Sequence, residues 1–184
     1  MREIEVKILE INRDDIEKKL VSFGAKKIFE GEMHALYYDS GDGSIRKNKD
    51  TLRIRKEGSR AVLAFKNHVE NKEVKIREEN EVEISDFNTM QKILGFMGFS
   101  VWLEMKKRRI TYEYDGLHFE IDKYHGEYEY IPEFMEIEGM DIEKVYKYAE
   151  ILGFIKEDCL PWDATQLAEY YKNPGFMIKP DIKS

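Results

Sequence analysis

The chain has 184 residues, enough for one domain of ordinary size and too few to fill two hydrophobic cores. Apolar residues make up 42% of it, and Gly and Pro number only 12 and 4, which excludes a collagen-like or low-complexity polymer. Charge is abundant but nearly self-cancelling, 37 acidic against 30 basic side chains for a net −7, so there is no basic excess to neutralise the phosphates of a nucleic-acid duplex.

Met1-Arg2-Glu3-Ile4-Glu5 has no apolar run of signal-peptide type, and nowhere do eighteen apolar residues follow one another. These features point to a cytoplasmic protein without a membrane partner, and the single Cys159 agrees with a reducing compartment and reads as a small core residue. Glu3-Ile4-Glu5-Val6-Lys7-Ile8 alternates charged and apolar residues, the period of a half-buried strand. A helix follows, capped by Asn12, stapled by Ile11 and Ile16, continued by Leu20 and Phe23 and closed by Gly24. The same theme recurs twice. Glu81 to Ile84 is an alternating strand before a helix capped by Ser85 or Asp86, and Glu136-Ile137-Glu138 precedes a helix capped by Asp141. Residues 3, 81 and 136 are unevenly spaced, which excludes a solenoid.

Between these units the pattern predicts strands over Ala35–Asp39, Leu52–Lys56, Ala61–Lys66, Arg108–Tyr114 and Leu117–Asp122, the last two joined by an Asp115-Gly116 hairpin turn. Ser40–Asp50 and Asn67–Glu79 read as charged, mobile loops without apolar anchors. Pro161 and Asp163 open a short C-terminal helix that Asn173-Pro174-Gly175 ends, giving one domain over 1–184 with a core of about 1–172 and a loose tail.

Residues two apart in a strand share a face, about 6.6 Å apart. Glu3 with Glu5, Glu81 with Glu83 and Glu136 with Glu138 are therefore acidic pairs, while Arg53 with Arg55 and Lys107 with Arg109 are basic pairs; Lys7 and Lys66 add single cations. Solvated sheet faces mix signs, because like charges side by side repel. Five like-signed pairs on separate strands instead need counter-charges, which a strongly curved sheet supplies by turning its ionic faces inward and its apolar faces out against the helices. Burying twelve charges only to pair them is costly. Carboxylates facing hard divalent cations, and guanidinium and ammonium groups facing phosphate oxygens, give a better account: two Mg²⁺ or Mn²⁺ add about four positive charges, about enough to match a triphosphate.

Glu3-Ile4-Glu5-Val6-Lys7 resembles the Glu-x-Glu-x-Lys signature of the CYTH proteins, or triphosphate tunnel metalloenzymes. The order that follows is also similar: Tyr37-Tyr38-Asp39, Arg53-Ile54-Arg55, Lys66, Glu81 and Glu83, Lys107 and Arg109, then Glu136-Ile137-Glu138, together covering residues 1 to about 154. The resemblance implies an α+β fold built on a closed, eight-stranded antiparallel barrel, the triphosphate tunnel, with helices outside. It implies metal ligands at Glu3, Glu5, Glu81, Glu83, Glu136 and Glu138, a triphosphate grip from Lys7, Arg53, Arg55, Lys66, Lys107 and Arg109, and catalytic roles for Glu5, Lys7 and Glu138. Lys75 and Arg77 are candidates to close from the Asn67–Glu79 loop, and Asp122 stands at an acidic position the family often carries. Two departures, Asn67-His68 after Lys66 and Ile131-Pro132-Glu133-Phe134 before Glu136, leave the subfamily open.

The implied partner is a small-molecule triphosphate, inorganic, thiamine or nucleoside, with Mg²⁺ or Mn²⁺; the oligomeric state, monomer or homodimer, is not legible. Water attacking the terminal phosphorus gives a triphosphatase, and a ribose hydroxyl attacking the α-phosphorus gives an adenylyl cyclase. No pattern demands a purine pocket, which favours hydrolysis, with the cyclase as the alternative. A non-catalytic polyphosphate binder is the third reading, disfavoured because an anion binder gains nothing from so many carboxylates. His34, His68, His118 and His125 lack metal-ligand spacing.

Overall fold

The structure is a computed structural model that describes residues 2–69 and 75–173, with side chains for 4–69 and 78–173. Strand β1 (Arg2–Ile8) is the alternating segment, and its pleat sends Val6 and Ile8 to one side and Glu5 and Lys7 to the other. Helix α1 (Arg13–Ser22) starts where the Asn12 side chain accepts a hydrogen bond from the Asp15 amide at 3.1 Å, and it ends at Gly24, whose φ of 94° a side-chain-bearing residue would resist. Strand β2 (Lys26–Asp39) begins nearer the N-terminus than the expected Ala35, because Lys26 to Glu32 has no clean apolar alternation and pairs through a bulge with β6 (Ser100–Tyr114), itself longer than Arg108–Tyr114.

The Ser40–Asp50 connection does have an apolar anchor. One-turn helix α2 (Ser44–Lys47) buries Ile45, and the Asp39 carboxylate accepts hydrogen bonds from the Ser40, Ile45 and Arg46 amides and from Arg46 Nε at 2.6 Å. Strands β3 (Thr51–Glu57), β4 (Arg60–Val69) and β5 (Lys75–Glu83) then form a meander. Most of the segment read as the Asn67–Glu79 loop is thus paired strand, hidden because both of its faces are polar. Helix α3 (Phe87–Phe96), capped by Asp86, follows β5, and β6 turns into β7 (Leu117–His125) through Asp115 and Gly116, both at positive φ as a type I′ turn needs. Strand β8 (Phe134–Gly139) leads to α4 (Ile142–Ile151), capped by Asp141, and α5 (Ala164–Lys172), capped by Asp163.

All pairings are antiparallel, in the order β1-β5-β4-β3-β2-β6-β7-β8, with β1 hydrogen-bonded to β5 on one side and to β8 on the other. This α+β protein is therefore an eight-stranded, strongly curled antiparallel sheet with helices on its convex side. The β1/β5 seam is the shortest, four residue pairs from Arg2↔Glu78 to Glu5↔Lys75. Outside, α1 and α4 pack against Val6, Ile8, Ile110, Phe119, Ile121 and Ile137, and α3 packs Leu94 on Leu36, Leu52 and Ile54. Helix α5 brings Leu167 and Ala168 onto Leu103, Tyr124 and Phe134, and Cys159 is buried as a core residue. No helix among the described residues is long and apolar enough to cross a membrane.

Candidate active site

Because every strand exposes alternate residues to the concave side, the curl converts the like-signed pairs into one charged interior. A single cavity is lined by Glu5 and Lys7 of β1, Arg53 and Arg55 of β3, Lys66 of β4, Lys107 and Arg109 of β6, Glu120 and Tyr124 of β7, and Glu136 and Glu138 of β8. The structure thus brings together nine of the residues singled out from sequence. The interior opens at two ends. One mouth adds Trp102, Leu103, Arg46 and the start of α5, next to Tyr37 and Thr51. The other adds Ile28, Phe29, Glu57, Arg60, Glu79, Glu81 and His118.

On the β1/β6/β7/β8 wall the charges are paired. Lys7, 1% exposed, lies between Glu5 and Glu136, the latter at 2.7 Å. Burial pulls its ammonium down, but the two carboxylates outweigh that and hold it above its ordinary value. Arg109 donates from Nε and Nη2 to Asp122 at 2.7 and 2.5 Å and from Nη2 to Glu136 at 2.8 Å, and it also pairs with Glu120. Asp122, fully buried, takes Lys107 Nζ as well, at 2.5 Å. For Glu136, burial acts upward, yet Lys7, Lys107 and Arg109 keep its carboxyl well below the usual range. Glu120 behaves oppositely: burial, with Glu138, Glu136 and Asp122 nearby, outweighs Arg109 and pushes it up to about 8.

The facing side is less committed. Arg53 has two buried nitrogens, Nε and Nη2, with no hydrogen-bond partner, and its guanidinium carbon lies 5.9 Å from the Tyr37 ring centroid. Glu138 makes no ion pair or hydrogen bond with any described residue, although the neighbouring Lys66 ammonium feels its charge. Lys66 pairs with Glu79 at 2.6 Å, and Arg55 pairs with Glu57 at 2.6 Å and Glu81 at 3.1 Å.

Three expected ligands stand apart. Glu81 sits at the second mouth, held by Arg55 and by Arg60 at 3.1 Å, and Glu83, with its side chain 68% exposed, is turned to Arg60 and does not line the interior. The Glu3 side chain, like those of Lys75 and Arg77, lies outside the described residues. The sequence reading missed Glu120 and Glu79. Each shares strand parity with a residue it did select, Asp122 and Glu81, so the signal was present.

The donors that face the interior are carboxylate oxygens without sulfur, a set suited to a hard divalent cation, and the uncommitted Glu138 beside Glu5 and Glu136 fits such an ion. Among the described residues, no group of three or more His, Cys, Asp or Glu already surrounds a common point, because Lys7 and Arg109 occupy the space between the carboxylates.

A curled antiparallel sheet whose interior carries Glu-x-Glu, Arg-x-Arg and Lys-x-Arg pairs defines the class, and the chain, which matches the CYTH domain over residues 1–171, belongs to that family. It is 29% identical over 126 residues to a Methanocaldococcus jannaschii protein provisionally named adenylate cyclase, spanning 68% of this chain and 72% of that one. A conserved hypothetical protein from Pyrococcus furiosus superposes with a TM-score of 0.74 at 25% identity, over 90% of this chain and 99% of the other. A Hippeastrum protein, also provisionally named adenylyl cyclase and described as having a dominant triphosphatase activity, shares the fold with a TM-score of 0.63 at 18% identity, over 97% and 98% of the two chains.

Proposed function

We propose that this protein is a divalent-metal-dependent phosphohydrolase that cleaves a triphosphate held inside the curled sheet, which works as a closed tunnel. The observation that carries this reading is the pair of uncommitted groups facing one cavity: the buried, unpartnered donors of Arg53 and the unpaired carboxylate of Glu138. Buried donors are normally satisfied, so a guanidinium left with two open nitrogens is built for an anion that arrives later. Arg53, Arg55, Lys66, Lys107, Arg109 and Lys7 bind the phosphate oxygens, spread along the bore so that several phosphates are gripped at once. Glu5, Glu136 and Glu138 would hold Mg²⁺ or Mn²⁺, with Glu3 as a further candidate, and the ion supplies charge neutralisation to the transferring phosphoryl group. Burial strengthens every one of these contacts and limits water to what the site admits.

The test is a panel of tripolyphosphate, ATP and thiamine triphosphate with Mg²⁺, Mn²⁺ or EDTA, with product identification. Orthophosphate released only with metal is the expected result, and no turnover of any triphosphate overturns it. Cyclisation is the second reading, favoured by the name of the M. jannaschii relative; it yields pyrophosphate and cyclic AMP from ATP.

A further inference from the structure

The two ends of the bore differ in chemistry. At the second mouth the carboxylates of Glu57, Glu79, Glu81, Glu120 and Glu138 outnumber the cations Arg55, Arg60, Lys66 and Arg109. The first mouth is aromatic and holds a planar cation. Arg46 lies with its guanidinium carbon 4.6 Å from the Trp102 ring centroid, and Asp39, at 2.6 Å from its Nε, fixes it in that plane. The Arg46 side chain is 52% exposed, so the guanidinium face turned away from Trp102 is open. Tyr37 meets Trp102 edge-on at 6.2 Å, and Leu103 floors the pocket. This pocket shares Tyr37, Thr51, Asp163 and Ala164 with the phosphate cavity, so one molecule can occupy both.

We infer that the mouth at Trp102 is the seat of the substrate's organic group, and that this group is a neutral, electron-rich heteroaromatic ring of nucleobase type stacked on the Arg46–Trp102 platform. A stacked guanidinium attracts the π-face of a neutral ring and repels a cationic one, and a second cation, Lys49, lies beside it. The substrate is therefore a nucleoside triphosphate in preference to a thiazolium-bearing ester or inorganic triphosphate. This inference rests on the triphosphate reading above for its substrate, but the pocket can be probed without phosphate.

Calorimetric titration in EDTA with adenosine, ATP, tripolyphosphate and thiamine triphosphate, on the wild type, Arg46→Gln and Trp102→Leu, decides it. Adenosine binds the wild type weakly and loses its binding in both variants. ATP loses about ten-fold in affinity or more, while tripolyphosphate changes by less than about three-fold. Equal losses for ATP and tripolyphosphate, unchanged ATP binding in Trp102→Leu, or thiamine triphosphate binding the wild type more tightly than ATP each overturn the assignment. Failure of the wild type to bind tripolyphosphate instead removes the proposed function. In that case adenosine still decides: binding that Trp102→Leu abolishes upholds the pocket, and absence of binding overturns it.

Discussion

The two sides of the bore hold the same residue types in different states. On the side of β1, β6, β7 and β8, Lys7, Arg109, Glu136 and Asp122 are deeply buried and cross-paired, so that each cation meets at least two acceptors. Across from it, Arg53 keeps two nitrogens without partners and Glu138 keeps its carboxylate without a cation. Buried charge that is fully paired behaves as part of the frame, whereas buried charge left open has a cost that only a ligand offsets. The first side should therefore answer to stability measurements and the second to binding measurements.

Asp122→Ala makes the largest break. It removes the acceptor shared by Lys107 Nζ and two nitrogens of Arg109 in a site with no exposure, leaving buried cations under-compensated. Unfolding in urea should show a loss of ~3–5 kcal/mol. A change under about 1 kcal/mol would mean the wall is not a frame. Arg53→Ala should do the reverse. Stability stays within ~1 kcal/mol because no protein partner is lost, while affinity for tripolyphosphate drops about 100-fold, close to 2.7 kcal/mol. A stability loss as large as that of Asp122→Ala would erase the distinction between the two sides.

This contrast was only half legible in the sequence. Alternation gave β1, β3, β8 and the inward charges, because one face of each of those strands is purely apolar: Val6, Ile8, Ile54 and Ile137 fall on the outer side without exception. The helix caps Asn12, Asp86, Asp141 and Asp163 were equally readable, since capping is a local hydrogen bond. Pairing was not. Whether Glu138 or Glu136 meets Lys7 depends on the stagger of β1 against β8, where Lys7 stands opposite Glu136, and no single strand encodes that register. Glu83 was misassigned for the same reason. Its parity is right, but the sheet's curl leaves it beyond the mouth, beside Arg60. The Arg46–Trp102 platform joins a short helix to a distant strand and leaves no local trace.

A pH titration sharpens the comparison within the paired wall itself. Glu120 is raised from 4.5 to about 8, so between those values the folded protein carries a proton that the unfolded chain has already released. Ligand-free stability should therefore fall as pH climbs from about 4.5 to 8 and level off above, by on the order of 1 kcal/mol per unit at most. Glu120→Gln, neutral throughout, should flatten that slope. A slope unchanged in the variant would place the proton on another member of the wall.

Glu138→Gln carries the smallest stability effect and the sharpest meaning. The wild-type carboxylate has no cation partner, so replacing it with an amide of the same shape breaks no ion pair and relieves repulsion with the other acidic groups of the bore. Thermal unfolding without ligand should be unchanged or slightly higher, within about 1 kcal/mol. Metal-dependent phosphate release, by contrast, should be lost, and added Mg²⁺ should no longer raise the melting temperature as it does for the wild type. Retained turnover with normal stability would show that the open carboxylate serves neither frame nor chemistry, and the division of the bore into a structural wall and a working wall would fail at its most exposed point.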